Sequence, residues 1–520
     1  MKKSIFYYML LLFIMATVSC KKSFLTLYPG GNLNEGNYYK SVADLQAGLT
    51  AAYVPLRSVA GVAFHMDEGR ADNTMYIYNT RDRGNATTEN LENFLDAVDN
   101  PVTTNRWKYD YQGISTVNTL LDHMVNITFP IPDSTKNTIV GEAKALRGHY
   151  YFDLVRNFGG VPLPLHEVTT SAQAYLARSS ADSVYGQIIS DLSSADSLLN
   201  GPTFSTPQTG HITKGAVETE LAAVYLQRSQ FAEAIPYLKN VTTMGYSLYS
   251  NYRDIFNPVN KYGNKEIIWD VQYESGTTGQ SSAFIYYFTP KTGSTKNILG
   301  VDFLNSSGGW NMPTQDLIQL FQPGDTRLEA SIGVVEGFGN DGSTNYVAAD
   351  TASIINYHPP TDTTVYYYYT KKYYYPPYPN INLNTAQDWP LYRYSDVLLM
   401  LAECYNETND PNDALSYLNQ VRFRAFGNSN GEITQTGQAA LRDTIANERR
   451  RELCFENKRY QDLIRTGKAV SVLTAFGNAQ KQKYSYMLSN SYNVTTDRLL
   501  YPIPYYDMTL NSLLVQNPGY

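Results

Sequence analysis

Cysteine and histidine are scarce in this chain, three and six among its 520 residues. A zinc site needs about four well-placed ligands, and neither a CxxC pair nor an H-E-x-x-H helix occurs, so no metal or other cofactor is expected. A G-x-x-x-x-G-K-[ST] phosphate loop is also missing. Charge is sparse at 17%, below the roughly 25% of an average soluble protein. The net charge is -7 with no run of five or six basic residues, which excludes nucleic acid as a partner and polybasic attachment to acidic lipid. Tyrosine, at 45 residues, is what the chain has in excess. Its rings pack or stack while its hydroxyls still hydrogen-bond. A chain of this length buries a large core and needs no disulfide or metal staple. Cys404 and Cys454 therefore read as buried thiols, with a disulfide between them left open.

The first twenty residues read as an address. Lys2 and Lys3 precede an apolar run from Ile5 to Val18, too short for a membrane span of about 20 residues and suited to a signal-peptide core over 1–19. The run ends in Thr17-Val18-Ser19-Cys20, a small residue before cysteine, as in a lipoprotein signal with Cys20 as the lipidated residue. Acyl chains contribute about 0.8 kcal/mol per buried CH2, so several would hold a soluble body on a membrane by lipid anchor only. No second apolar run long enough to span is apparent downstream.

Along the mature chain, residues 139–158 read as an amphipathic helix. Ile139, Ala143, Leu146, Tyr150, Leu154 and Phe158 recur at spacings of three and four, and Gly159-Gly160 with Val161-Pro162 end it. Similar periodicity marks 40–58, 105–125, 181–199, 213–242, 394–425 and 437–467. Two segments repeat one another. Leu221-Ala222-x-x-Tyr225 with Ala234-x-x-Tyr237-Leu238 matches Leu401-Ala402-x-x-Tyr405 with Ala414-x-x-Tyr417-Leu418 at an offset of 180 residues. Small Ala where two helices approach and Tyr where they interlock is the logic of tetratricopeptide pairs. Residues 245–390 are rich in Gly, Ser, Thr, Asn and Tyr, with short alternating stretches such as Ile267-Ile268-Trp269-Asp270-Val271 and a turn signal at Asn340-Asp341-Gly342. The expected fold is mainly α: a tetratricopeptide-like superhelix over about 37–244 and 391–467, carrying an irregular loop-rich lobe with short strands over about 245–390.

Six blocks then carry a resemblance. They are Cys20 with Phe24-Leu25 and Pro29; Trp107, Tyr111, Ile114 and Asn118; Glu142-Ala143-x-x-Leu146-Arg147-x-x-Tyr150-Tyr151-Phe152 closing on Phe158-Gly159-Gly160-Val161-Pro162-Leu163; Tyr392-Arg393-Tyr394-x-Asp396-Val397; Glu448-Arg449-Arg450-x-Glu452-Leu453-x-x-Glu456-x-x-Arg459; and Gln516-Asn517-Pro518-Gly519-Tyr520. In this order, over nearly the whole mature length, the chain resembles the SusD/RagB family. The resemblance implies a non-enzymatic outer-membrane lipoprotein facing the cell surface, although Lys21-Lys22-Ser23 stand where exported members usually carry acidic residues. It implies an oligosaccharide ligand, or a peptide in some members, and a SusC-like TonB-dependent transporter as partner. A scaffold that grips only a protein partner is the reading from another functional class.

Candidate ligand residues follow from the chemistry of sugars, which asks for aromatic faces beside planar amide, carboxylate or guanidinium groups. The polar segment from Asp67 to Arg83 offers Asp72, Asn73, Tyr76, Tyr78 and Arg81. Trp310, after the loop Ser306-Ser307-Gly308-Gly309, offers a stacking face, with Tyr286 and Tyr287 to complete an aromatic arc. The tract from Tyr366 to Tyr378 reads equally as lobe edge, transporter contact or ligand platform. Glu448, Glu452 and Glu456 interleave with Arg449, Arg450, Arg451 and Arg459, and read as ion pairs along one helix. No catalytic residue is assigned.

Overall fold

The computed structural model describes residues 39–77, 86–199, 209–339 and 343–520. Cys20 and its leader, Tyr78, Arg81 and the 340–342 turn signal lie outside the described residues. Six helices pack each against the next: α1 (Val42–Asp67), α2 (Pro101–Val125), α3 (Asp133–Phe158), α4 (Ala181–Leu198), α5 (Lys214–Gln227) and α6 (Phe231–Thr242). The lobe intervenes, and the superhelix then resumes where it left off. Helix α7 (Tyr394–Glu407) packs on α6, followed by α8 (Pro411–Phe426) and α9 (Gln438–Glu452), both against α7. The chain closes with α10 (Arg459–Arg465), α11 (Ala469–Lys483) and α12 (Tyr505–Leu510).

Local chemistry sets the helix starts. Ser41, Thr213 and Asp410 accept backbone N–H groups at the N-caps of α1, α5 and α8, and Pro101 and Pro411 fill first-turn positions where no N–H is needed. Three expectations need correcting. Helix α1 runs past residue 58 to Asp67 and carries Pro55 inside it. It is also long and apolar enough by composition to cross a membrane, contrary to the reading of no further such run. In this fold its apolar residues, Leu45, Leu49, Ala52 and Leu56 among them, are buried in the protein core, with α1 packed on α2 and α3. Helix α3 buries Ile139, Ala143, Leu146, Tyr150, Leu154 and Phe158 as expected, but Gly141, Ala145, Tyr151 and Phe152 are buried as well. From Ile139 onward it is enclosed nearly all round rather than amphipathic. Close approach explains one glycine: a Cβ on Gly113 of α2 would lie 2.2 Å from the Tyr150 ring.

The internal repeat is real in three dimensions. Tyr225 stacks on Tyr237 at 5.9 Å and 15°, and Tyr405 on Tyr417 at 5.7 Å and 10°. Ala222, Ala234, Ala402 and Ala414 are all fully buried. Even the turns correspond. Ser229 (φ 56) and Asn409 (φ 64) take the same left-handed backbone, and Gln230 N–H and Asp410 N–H close onto Tyr225 O and Tyr405 O.

In the lobe, β1 (Thr74–Met75), reaching over from the scaffold, pairs with a partner described below, and β2 (Ile267–Val271) leads in. Then come β3 (Met312–Pro313), β4 (Ile332–Phe338), β5 (Val347–Ala352), β6 (Val365–Thr370) and β7 (Trp389–Arg393). Strands β2 and β7 pair antiparallel, so the lobe leaves and returns through one ribbon. Strands β4, β5 and β6 form an antiparallel sheet in the order β5-β4-β6. The tyrosine tract is not one exposed platform: β6 is the sheet edge, but Tyr367, Tyr369 and Tyr373 are buried.

The ion pairs of the Glu448–Glu456 segment differ from the expected pattern. Only Arg451 and Glu448 pair within the helix, at 2.6 Å. Glu456 lies beyond the end of α9, and the remaining partners arrive from distant elements. Arg327 pairs with Glu448 (2.6 Å) and Glu452 (2.9 Å), and Arg422 with Glu448 (2.6 Å). Arg393 reaches Glu266 (2.7 Å), Glu452 (3.0 Å) and Glu456 (2.8 Å), and Lys372 reaches Glu456 (2.6 Å). Arg424 joins Glu266 and Glu452. Nearly all of these side chains are fully buried.

Removing one partner of a buried pair strands the others without water. Arg393→Met is therefore expected to cost about 3–5 kcal/mol, read as a lower urea midpoint. Arg442→Met, at the partly exposed pair with Glu407, should cost no more than about 1 kcal/mol. Burial alone would raise the Glu448 carboxyl, but Arg327, Arg451 and Arg422 overcome it and hold it at about 2, against 4.5 for a free carboxyl. This contribution is complete above pH 4.5 and lost as pH falls towards 2, so unfolding free energy should drop across that window.

Candidate functional site

The described residues bring three of the candidates into one aromatic cluster. Strands β1 and β3 pair antiparallel, Thr74 against Pro313 and Met75 against Met312, which carries Tyr76 alongside Trp310. Ile77 N–H donates to Gly309 O (2.8 Å), and Trp310 N–H donates to Tyr287 O (2.9 Å). The Tyr76 and Trp310 rings lie 4.0 Å apart at 31°. His65, in the last turn of α1, meets the Trp310 indole edge-on at 4.4 Å, and Phe64 stacks with Tyr287 at 5.7 Å. Lys291 Nζ sits 5.0 Å over the Tyr76 ring.

The electrostatics of the cluster are set by burial. Desolvation holds the His65 imidazole down at about 3, so it is neutral and serves as a packing ring. Tyr76 N–H donates to Glu92 Oε2 at 2.8 Å. Burial lifts the Glu92 carboxyl to about 8, outweighing that hydrogen bond. Trp310 is only 8% exposed, so it is held between rings rather than presented as a free platform. Tyr287 and Lys291 are half-buried and form the accessible edge.

Three other candidates are placed elsewhere. Asp72 accepts from Arg459 Nε (2.7 Å) and Nη2 (2.9 Å) and pairs with Arg450 (3.2 Å). Burial alone would raise its carboxyl, but these guanidinium groups hold it below the usual range. Asn73 donates to Glu68 Oε1 (2.9 Å) and accepts from Arg450 Nε (2.7 Å). Tyr286 is fully buried in a second core with Met312, Tyr346 and Tyr369. The polar groups of Asp72 and Asn73 and the ring of Tyr286 are committed to the fold. Sequence reasoning missed Phe64, His65 and Lys291. The helical period continuing through Val59, Ala60, Ala63 and Phe64 was the signal for the first two, and Lys291 carried none.

Other chemistry is accounted for. Gly427-Asn428-Ser429-Asn430-Gly431 fits the G-x-S-x-G pattern, but Gly427 caps α8 with φ 69 and Ser429 opens a 3-10 turn. No strand precedes it, so it is not a nucleophile elbow. Asp396 and Glu403, plausible hydrolase carboxylates by type, are bound to Arg449 and Arg465. Cys404 and Cys454 are buried free thiols, and burial pushes Cys454 up to about 12. Among the described residues no group of three or more His, Cys, Asp or Glu is arranged to hold a metal ion.

A family model described as "SusD family" matches residues 265–520, and one described as "Starch-binding associating with outer membrane" matches 33–226. The chain belongs to the SusD/RagB family, whose members bind glycans and associate with the outer membrane. SusD-like protein P38 of Formosa agariphila is 26% identical over 544 residues, covering 98% of each chain. SusD-like protein P25 of the same organism is 26% identical, covering 80% of this chain and 79% of its own. Among solved structures, a laminarin-binding SusD-like protein superposes with a TM-score of 0.72 at 25% identity, over 93% of this chain and all of its own. A SusD homologue from Bacteroides thetaiotaomicron reaches a TM-score of 0.76 at 21% identity, covering 94% of this chain and 98% of its own.

The loop before Trp310 depends on Gly308, where an added Cβ would sit 2.4 Å from Thr289 O and 2.6 Å from Asn305 Nδ2. Gly308→Ala is expected to destabilise by about 1–3 kcal/mol and to shift Trp fluorescence, as the Tyr76–Trp310 contact is displaced.

Proposed function

We propose that this chain is a non-catalytic lipoprotein, anchored through Cys20, that binds oligosaccharide at the Trp310 cluster and delivers it to a SusC-like TonB-dependent transporter. The observation that carries this reading is the convergence of Tyr76, Tyr287 and Trp310 with Lys291 at one edge. The half-buried Tyr287 ring, backed by Phe64 and the buried Trp310 cluster, offers an apolar face to a pyranose, and the Lys291 cation at the same edge donates to hydroxyls. Tyr78 and Arg81, two and five positions after Tyr76 in the sequence, are of the same chemical type. The laminarin-binding relative supports a glycan as the ligand. The absence of catalysis is supported by the many carboxylates already neutralised by arginine. Helical pairs stacked as a superhelix supply a broad face for the transporter.

The test is calorimetric titration of the purified protein against a panel of polysaccharides and peptides. One glycan class should bind, and Tyr287→Ala or Lys291→Ala should weaken it at least tenfold, about 1.4 kcal/mol, with unfolding unchanged. Binding of peptides alone would replace the ligand class. Silence across the panel, with tight capture of the transporter, would reduce the protein to a scaffold. Release of reducing ends on prolonged incubation would overturn the non-catalytic reading.

A further inference from the structure

A cavity of about 310 Å³ opens where α2, the strap 162–175 and the C-terminal segment meet, sharing no residue with the Trp310 cluster. Trp107, Tyr111, Val168, Tyr175, Leu510 and Leu514 make its wall mainly apolar. Tyr175, Val168 and Leu510 are 45%, 41% and 52% exposed, so the mouth is open.

The polar groups in this wall are mostly turned away from its interior. Tyr111 Oη donates to Pro162 O (2.7 Å), and Asn118 Nδ2 donates to Pro164 O (2.9 Å) while its Oδ1 accepts from Arg147 (2.9 Å). Asn511 donates to Leu176 O (2.8 Å) and accepts from Leu513 N–H (3.1 Å). Gln173 caps the turn at Thr170. His166 is engaged by Asp122 at 2.9 Å.

Asp507 is the exception. It lines the cavity and accepts from the Trp107 indole, and no cation pairs with it among the described residues. Arg178, whose charge acts on the lining Tyr111, sends its donors to Gly160 O, Phe158 O, Val515 O and Asn517 Oδ1. Burial raises the Asp507 carboxyl, as expected for a negative charge with aromatic neighbours and no counter-ion.

We propose that this cavity is a second binding site, for a compact aromatic or aliphatic molecule bearing a cationic amine, with Asp507 as counter-ion and Trp107, Tyr111 and Tyr175 around the apolar body. The volume falls at the lower end of ligand pockets, room for one ring and a short tail. An ammonium beside aromatic faces gains cation–π attraction, and its N–H groups make charge-assisted bonds to the carboxylate. A polyhydroxylated sugar would bury hydroxyls against a wall whose polar groups, Asp507 aside, are mostly already used, which disfavours it. The unpaired charge therefore selects the sign of the occupant, and the apolar wall selects its body.

The experiment titrates the full chain at neutral pH with 2-phenylethylammonium and with its neutral counterpart 2-phenylethanol, following the Trp107 indole N–H by NMR. The ammonium should saturate at least tenfold more tightly than the alcohol. Asp507→Asn, a near-isosteric change on a partly exposed helix, should erase that difference and leave the alcohol unaffected. Tyr175→Ala, at the exposed mouth, should weaken both. Equal binding of amine and alcohol to the unaltered protein, no perturbation of the Trp107 signal, or insensitivity to both substitutions would each overturn the proposal.

Discussion

Arg393 holds the two halves of this protein together. It ends the ribbon by which the lobe returns to the scaffold, and its guanidinium contacts Glu266 at the lobe's departure, Glu452 at the end of α9 and Glu456 just beyond it. Arg327 and Lys372, both from within the lobe, are drawn into the same buried array. Burying so many charges is costly, and an apolar core of equal volume would often be as stable. What the array supplies is registry. Each carboxylate accepts from partners that come from different elements, so a slip of the lobe by one position would leave several charges unpaired at once.

That registry reaches the aromatic cluster through Asp72, Asn73 and Glu68. Arg450 of α9 and Arg459 of α10 fix Asp72 and Asn73, while Glu68 accepts from Phe455 N–H (3.0 Å) and Asn457 N–H (3.1 Å). Thr314 N–H then donates to Asn73 O (2.9 Å), and the pairing of β1 with β3 follows. Residues that look like sugar ligands in the sequence are thus the clamp that brings Tyr76 onto Trp310. A carboxylate or amide beside an aromatic reads as recognition chemistry, but an arginine from a remote helix claims it first.

The helical scaffold was legible because its signals are local: period, caps and the 180-residue repeat all survive into stacked rings and matched turns. The site was legible only in part. Trp310 and Tyr76 announced themselves by residue type and loop context. Asp72 and Tyr286 misled because their partners, Arg459 and the second core, lie hundreds of residues or a full sheet away. The ion-pair reading of Glu448, Glu452 and Glu456 held, but its intrahelical form held only for Arg451 and Glu448, for the same reason. Sequence spacing offers each carboxylate a partner at three or four positions, yet a buried carboxylate takes whichever guanidinium the tertiary fold delivers.

Tyrosine abundance has a physical explanation that composition alone obscured. Tyr111, Tyr150, Tyr151, Tyr252, Tyr373, Tyr460 and Tyr501 each send a hydroxyl into a backbone carbonyl, on Pro162, Ala52, Pro164, Glu452, Phe455, Leu499 and Met66. Several of these carbonyls sit in connections or late helical turns, where no intrahelical donor reaches them. A chain with long irregular connections strands many such acceptors, and a ring with a donor at its tip fills a core while satisfying one. These seven tyrosines are therefore structural. Among those with an accessible ring and no backbone acceptor, Tyr287 lies at the Trp310 cluster and Tyr175 at the mouth of the Asp507 cavity, where an aromatic face is left for something other than the protein itself.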